Sequence, residues 1–194
     1  MSKDRRLSEP ERARRPHFTL TVASSADGFI ARDPTEPPQV WASAEEQSLF
    51  FEDVAAADWA VLGRNTHMAA ERDDRRRIIF STTISGWRKP TQIWLDPAGL
   101  QPADLPALVS RVAPLSRGLI LGGTRVHDWF FAHDAIDEVH QTIEPIVFGA
   151  GLPMFTGASG EAPEKCIGRT GLTLISDTKI NAGGTRYLIW TRGV

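Results

Sequence analysis

The sequence predicts an α/β domain with a mostly parallel central sheet, helices on both faces and an antiparallel hairpin at the C-terminal end. Three observations carry that prediction. From about residue 17 to 135, short apolar runs bounded by turn residues alternate with helix-patterned segments, the rhythm of βα units. After residue 136 the chain reads almost wholly as strand and turn. The 194 residues, 41% hydrophobic and 24% charged, suffice for one sizeable core in a soluble globular chain.

The elements follow in order. Residues 1–16 are charged and lack apolar periodicity, and are read as a flexible arm ahead of a domain spanning 17–194. In "HFTLTVASSADGFIA", Phe18, Leu20 and Val22 recur at period two, a strand signal, before Asp27-Gly28 turns the chain. "DPTEPPQ" is Pro-rich loop. In "SAEEQSLFFEDVAAA", Ser43 and Glu46 have capping-box spacing, so each side chain would satisfy an amide at the other residue. Leu49, Phe50 and Val54 then form one apolar face of the helix. Trp59–Leu62 is a buried strand, and a short helix opens near Thr66. "RIIFS" and "QIWLD" are strands, and "ADLPALVSRVA" is a helix with Asp104 at its N-cap. "GLILGG" is a strand and "TRVHDWFFAH" a helix. "IDEVHQTIEPIVFG" is a strand that must break at Pro145, and residues 171–192 form a long hairpin.

Composition excludes several functions. A net charge of −2 offers no electrostatic reason to expect nucleic acid or an anionic membrane. Asp4, Glu9 and Glu11 dilute the arginines of the arm, and no apolar run approaches the roughly 20 residues of a membrane helix. The N-terminus lacks the apolar centre of a signal peptide, and a single cysteine, Cys166, excludes an intramolecular disulfide and a Cys-rich zinc site. A cytoplasmic protein is expected, with Cys166 a small buried hydrophobe. His17, His67, His127, His133 and His140 show no metal-ligand spacing, so no metal is expected.

Two strand-to-helix junctions invite a ligand. Gly63-Arg64-Asn65-Thr66 puts a glycine, a cation and a capping hydroxyl at the end of a strand. It reads either as a plain turn or as a phosphate site, where glycine permits close approach and arginine binds in bidentate fashion. Gly122-Gly123-Thr124 is either a tight βα turn or a place where backbone runs against a ligand. In a parallel sheet both lie at the carboxyl edge, where a pyrophosphate or dinucleotide would bind. The G-x-G-x-x-G fingerprint is absent, so a Rossmann domain is not supported. The charged run "RDDRRR", 72–77, reads as a solvated loop or as a reader of phosphate.

Taken in order, "SSADGFIA" (24–31), "ADWAVLGRNT" (57–66), "RRRIIFSTT" (75–83), "LILGGTRVHDWFF" (119–131) and "IDEVHQTIEPIVFGAGLPMF" (136–155) resemble the dihydrofolate reductase-like superfamily. Within it they resemble the bacterial riboflavin-biosynthesis reductase (RibD C-terminal domain) family, over roughly residues 17–192. The resemblance implies a three-layer fold, NADPH as cofactor and a homodimer. It implies that Gly63, Arg64 and Thr66 hold cofactor phosphates and that Ser81 and Thr82 sit near the 2′-phosphate. It places Gly122 and Gly123, often joined by a cis peptide, against pyrophosphate and nicotinamide, with Thr124 and Arg125 at the helix start. Asp27, in the loop after the first strand, is a candidate catalytic residue near the substrate mouth, or simply an Asp-Gly turn. Trp41 is a candidate wall of the pocket. Dihydrofolate reductases carry an acid on the first long helix. Counting back from the G-R-x-T turn puts Gln47 there, with Glu45 and Glu46 pointing elsewhere. Phe29 stands where the riboflavin reductases have a basic residue, and Leu121 where they have Glu before the double glycine. The expected activity is NADPH-dependent reduction of a pteridine- or aminopyrimidine-like heterocycle, closest to 5-amino-6-(5-phosphoribosylamino)uracil. The alternatives are a dihydrofolate reductase with an altered pocket and a non-catalytic NADP-binding protein.

Overall fold

A computed structural model describes residues 15–193; the remainder of the arm, 1–14, lies outside the described residues. The strands are β1 (His17–Ser25), β2 (Phe29–Ala31), β3 (Trp59–Gly63), β4 (Arg77–Phe80), β5 (Gly86–Lys89), β6 (Gln92–Leu95), β7 (Arg117–Gly122), β8 (Glu138–Glu144), β9 (Leu152–Pro153), β10 (Thr173–Lys179) and β11 (Arg186–Thr191). The helices are α1 (Ala44–Ala56), α2 (Arg64–Ala69), α3 (Leu105–Val109), α4 (Thr124–Ala132) and α5 (Pro163–Gly168). Nine strands form one sheet in the order β10-β11-β8-β1-β7-β3-β4-β6-β5. Pairing from β8 through β1, β7, β3 and β4 to β6 is parallel. β11 and β10 at one end and β5 at the other are antiparallel. The short β5 and α5 and the small β2–β9 pair went unread in the sequence, being too brief for periodicity to register. Asp104 accepts the Gln101 amide (2.7 Å) within a 3-10 turn and makes no cap bond to α3, which is shorter than its apolar pattern suggested.

The two faces of the sheet differ. Phe18, Leu20, Val61, Ile78, Ile120 and Val139 point to one side, where they join Val109 of α3, Val126 and Phe130 of α4 and Ile167 of α5 in a single core. Phe18 and Phe130 meet with ring centroids 4.8 Å apart. Cys166 is buried there, its thiol pushed up to about 11, chiefly by burial. The other face carries α1 and α2 over a small cluster of Leu62, Ile79 and Trp94. Toward β8 this face is polar. Thr21, His140 and Ile189 lie abreast on β1, β8 and β11, and Glu138 and Glu144 share the side of His140 because strand side chains alternate.

Helix α1 is held on that polar face mainly by hydrogen bonds. The Ser43 hydroxyl accepts the Glu46 amide (3.3 Å), one half of the expected capping box. The other half is replaced: the Ser43 amide donates to the Glu144 carboxylate at 2.7 Å, and Glu144 also accepts from Thr185 (2.7 Å). Near the far end of α1, Asp53 accepts from Thr21 and pairs with His140 Nδ1 at 2.7 Å. His140 Nε2 faces Glu138 at 3.2 Å. Leu49, Phe50 and Val54 are only half-buried, because the helix stands off the sheet beside them. At the N-terminal end of the described chain, Arg15 forms a bidentate pair with Asp137 (2.6 and 2.7 Å), which also accepts the Phe18 amide.

Both ring nitrogens of His140 face carboxylates, so only the imidazolium satisfies both. Burial opposes its charge, but Asp53 and Glu138 outweigh burial and raise its pKa. A raised imidazolium stabilises the fold below the unfolded pKa of about 6.5 and loses that contribution as pH rises through the folded value. His140→Gln should therefore lower urea-unfolding stability more at pH 6 than at pH 9. An equal loss at both would show that His140 is neutral in the folded state.

Candidate active site

The parallel neighbours β3 and β7 end side by side, with Leu62 opposite Gly122. A Cβ built on Gly63 would come 3.8 Å from the Gly122 oxygen, and one on Gly123 would come 3.9 Å from Thr66 Oγ1. Gly122 has φ +91, and its bond to Gly123 is cis. The two glycine junctions thus meet at one edge, as strand order requires. Arg64 is exposed and reaches Thr83 Oγ1 (3.4 Å) in the loop after β4. Ser81 Oγ accepts the amides of Thr83 (3.3 Å) and Ile84 (3.2 Å), fixing that loop, while Thr82 is exposed. Thr124 donates to the Pro153 carbonyl (2.6 Å), which ties the start of α4 to β9. Arg125 is exposed at the same edge.

Beneath this edge lies a cavity of about 150 Å³, walled by Leu62, Thr66, Leu121 and Gly123 on the sheet side and by Glu46 and Phe50 of α1. The Pro-rich segment around Pro34, Pro37 and Pro38 roofs it. A broader groove of about 830 Å³ adjoins it, sharing Gln47, Phe50 and Arg77 and opening onto Arg72, Arg75 and Arg76. The charged run 72–77 therefore divides: its first residues border this groove, and Arg77 opens β4 from inside.

Three polar groups define the chemistry of the cavity. Glu46 is the one buried residue of α1. Because Glu144 has taken its place at the Ser43 amide, its carboxyl has no hydrogen-bond or ion-pair partner among the described residues. Burial, then the charges of Glu144 and Asp53, push its pKa up to about 7. Arg77, 6% exposed, lines both cavities without a carboxylate partner among the described residues. Its guanidinium donates to Nδ1 of buried His67 (3.1 Å), and its Nε is unpartnered. Burial and the Arg77 charge hold His67 below its ordinary value. His127 of α4 is also buried at the cavity wall, with its Nε2 unpartnered.

The structure gathers Gly63, Arg64, Thr66, Ser81, Thr82, Gly122, Gly123, Thr124 and Arg125 along the carboxyl edge of the sheet. Gln47 lines the cavity, its amide donating to the Ala42 carbonyl (3.4 Å). Trp41 packs edge-on against Phe148 (5.2 Å) and is not among the lining residues. Asp27 also lies off the cavity: its carboxylate accepts the amides of Phe148 (3.1 Å) and Gly149 (2.7 Å), the work of a turn residue. Burial would raise its pKa, but these bonds and one from Ser25 outweigh burial and lower it. Sequence reasoning did not single out Glu46 or His127 for the site, and reached Arg77 only as the last residue of the run 72–77. Glu46 was hidden by its capping-box spacing; it lines the cavity beside Gln47. Arg77 had a readable signal, since period two puts it on one face with Ile79 and Ser81. Among the described residues, no group of three His, Cys, Asp or Glu side chains could hold a metal.

Residues 16–189 match the family model of the RibD C-terminal domain. The chain belongs to that family. Its fold is dihydrofolate reductase-like, shared with solved structures of low identity. A Shewanella protein described as a riboflavin-biosynthesis protein superposes with TM-score 0.65 at 18% identity, over 92% of this chain and 99% of that one. The Thermotoga maritima diaminohydroxyphosphoribosylaminopyrimidine deaminase/5-amino-6-(5-phosphoribosylamino)uracil reductase gives 0.64 at 18%, over 94% of this chain and 58% of that one. This RibD C-terminal domain chain therefore spans little more than half of the two-activity protein. Dihydrofolate reductase from Enterococcus faecalis, complexed with NADP(H), gives 0.59 at 13%, over 92% and 97%. No curated protein matches the sequence.

The raised Glu46 pKa has a stability consequence. Between about pH 4.5 and 7 the folded state keeps a proton that the unfolded chain releases, so stability falls as pH rises through that window. Glu46→Gln removes this penalty. It should make the domain more stable than wild type at pH 8, by up to roughly 3 kcal/mol, with little difference at pH 4.5. Urea unfolding at both pH values checks this; a variant less stable at pH 8 would show that the carboxylate is satisfied in the fold.

Proposed function

We propose that this chain is an NADPH-dependent reductase of a single-ring aminopyrimidine carrying an anionic substituent, closest to 5-amino-6-(5-phosphoribosylamino)uracil. The observation that carries the reading is one cavity, at the meeting of the two glycine junctions, that holds both a buried acid and a buried guanidinium without an ion-pair partner among the described residues. RibD C-terminal domain membership supports it. So does the size of the cavity, of the order that holds one six-membered ring. Arg77 and the neighbouring Arg72 and Arg75 suit a phosphate on that ring.

The residues at the edge fit a dinucleotide. Gly63, Gly122 and Gly123 put no side chain between backbone and ligand, and Arg64, Arg125, Ser81 and Thr82 supply cations and hydroxyls for phosphates. When bound, NADPH supplies a hydride. Reduction of a C=N bond also needs a proton on nitrogen. Glu46, half-protonated near neutral pH, is placed to donate it, since a general acid works best with a pKa near the working pH. The proline roof excludes water from the step. Arg77 orients the substrate through its anionic group.

Glu46 also favours a second reading, a dihydrofolate reductase-type enzyme with an altered pocket, because it supplies the acid that Gln47 was expected to replace. The small cavity favours the single ring. A cytoplasmic homodimer completes the proposal. Among the described residues no helix is long and apolar enough to cross a membrane. β11 is already paired on both sides, which leaves the edge strand β10, with Ile175 61% exposed, as its contact candidate.

Titration with NADPH and NADH, followed by tryptophan quenching, should show micromolar NADPH binding and weaker NADH binding. Arg64→Ala, an exposed change, should weaken NADPH about 10-fold or more, the loss of one charge-assisted contact. No binding of either dinucleotide would overturn the reductase reading.

A further inference from the structure

Arg77 is 6% exposed and His67, on α2, is 2% exposed. A guanidinium can only donate, so the 3.1 Å contact of Arg77 Nη1 with His67 Nδ1 makes Nδ1 the acceptor and leaves the ring proton on Nε2. The ring is therefore neutral, and burial, then the Arg77 charge, hold its pKa below the ordinary value. Arg77 thus has a partner that fixes its direction and leaves its charge uncompensated. Its Nε is enclosed, whereas Nη2 has no partner among the described residues and is not enclosed. Arg77 lines both cavities, and Nη2 is the donor it can offer to them. The acids of the broader groove are committed elsewhere or lie farther off. Glu71 pairs with Lys89, as does the adjacent Asp73, and Asp74 lies 3.8 Å from Arg75. Asp58 accepts the amides of Ser116 (2.9 Å) and Arg117 (2.8 Å). Burial, then Arg72 and Arg75, oppose the charge on Arg77 and lower its pKa. An anion would complete this buried charge.

We propose that His67 is a positioning residue: it holds Arg77 through a neutral acceptor, so that the guanidinium keeps its whole charge for an anion on the ligand. The proposal rests on Arg77 holding the substrate's anionic group, as in the reductase reading. It adds a rule about the side chain at 67. An acidic residue there would hold Arg77 as firmly, but it would supply the counterion itself and compete with the ligand's. A neutral acceptor of similar shape would serve as well as histidine. His67 also follows Arg64 and Thr66 on α2, so one short helix ties the position of the anion to the first glycine junction. With Arg72 and Arg75 on the same groove, the anion selected is a phosphate monoester, and an uncharged analogue forfeits the contact.

The test uses the full chain, with NADP+ present to fill the carboxyl edge. The probe is 13C-labelled ribose 5-phosphate, followed by its 13C linewidth. Asn and Asp both place an oxygen close to where histidine places Nδ1, and they differ in charge. His67→Asn should bind the probe within about 2-fold of wild type. His67→Asp should bind it about 10-fold or more weakly, the loss of one charge-assisted contact. In an Arg77→Gln background the two His67 variants should bind alike, because the effect passes through Arg77. A role in packing alone would weaken both variants together, and equal affinity of His67→Asn and His67→Asp overturns the inference. If His67→Asp fails to fold, 15N spectra of the wild type decide. The Arg77 Nε–H signal should then move on addition of ribose 5-phosphate while His67 keeps its Nε2-bound proton, and an unmoved Arg77 signal overturns the inference. Wild type that binds NADPH but not ribose 5-phosphate overturns it and leaves NADPH-dependent reduction standing. Binding of neither overturns both.

Discussion

The site depends on how α1 is fastened. Most helices of α/β domains dock through an apolar stripe. Here the fastening is a polar seam, in which Glu144 takes the Ser43 amide and Asp53 takes Thr21 and His140. A polar seam has fixed lengths and directions, so it sets the rotation and height of the helix more tightly than oil-like contact would. It also lets α1 stand off the sheet between its two fastened ends. The cavity occupies that gap, and the half-buried Leu49, Phe50 and Val54 are its cost.

The same seam sets the electrostatics. Glu144 displaces Glu46 from its ordinary cap role and then repels it, and Asp53 adds to the repulsion. Asp53 is itself balanced by His140. In this row of carboxylates, Asp53, Glu138 and Glu144 find partners in His140, His17, two threonine hydroxyls and the Ser43 amide, and Glu46, in the cavity, is left without a donor among the described residues. Buried charge is tolerated only when paired or when a ligand completes it. Arg77 presents the complementary case, a guanidinium held by a neutral histidine and open to an anion.

The opposite face of the sheet carries the stability that makes this arrangement affordable. Phe18, Leu20, Ile120, Val126 and Phe130 are at most 3% exposed within one core. With the strands anchored from that side, the carboxyl edge keeps Gly63 against Gly122 and Gly123. Helix α4 joins the two roles, with Val126 and Phe130 in the core and His127 at the cavity wall.

What the sequence by itself determined is local and serial. Apolar runs placed the central strands, capping chemistry placed the start of α1, and glycines after two apolar strands marked the edge. Parallel order then obliged the two junctions to lie together, so Gly63, Gly122 and Gly123 were legible. Only the tertiary structure decided which face of α1 the cavity sees. Helical period states that Glu46, Phe50 and Asp53 share a side but leaves open how the helix is turned about its axis. That turn is set by contacts such as Ser43 to Glu144, 101 residues apart, and His140 to Asp53, 87 apart. The same holds for His127: its lone pair exists because Met154 takes the other nitrogen from 27 residues away. Asp27 and Trp41 were read as site residues from a turn and an aromatic near a mouth, and the structure places both outside the cavity lining. Their partners, Phe148 and Gly149, come from a distant loop, and a linear pattern carries no record of a pairing that only folding makes.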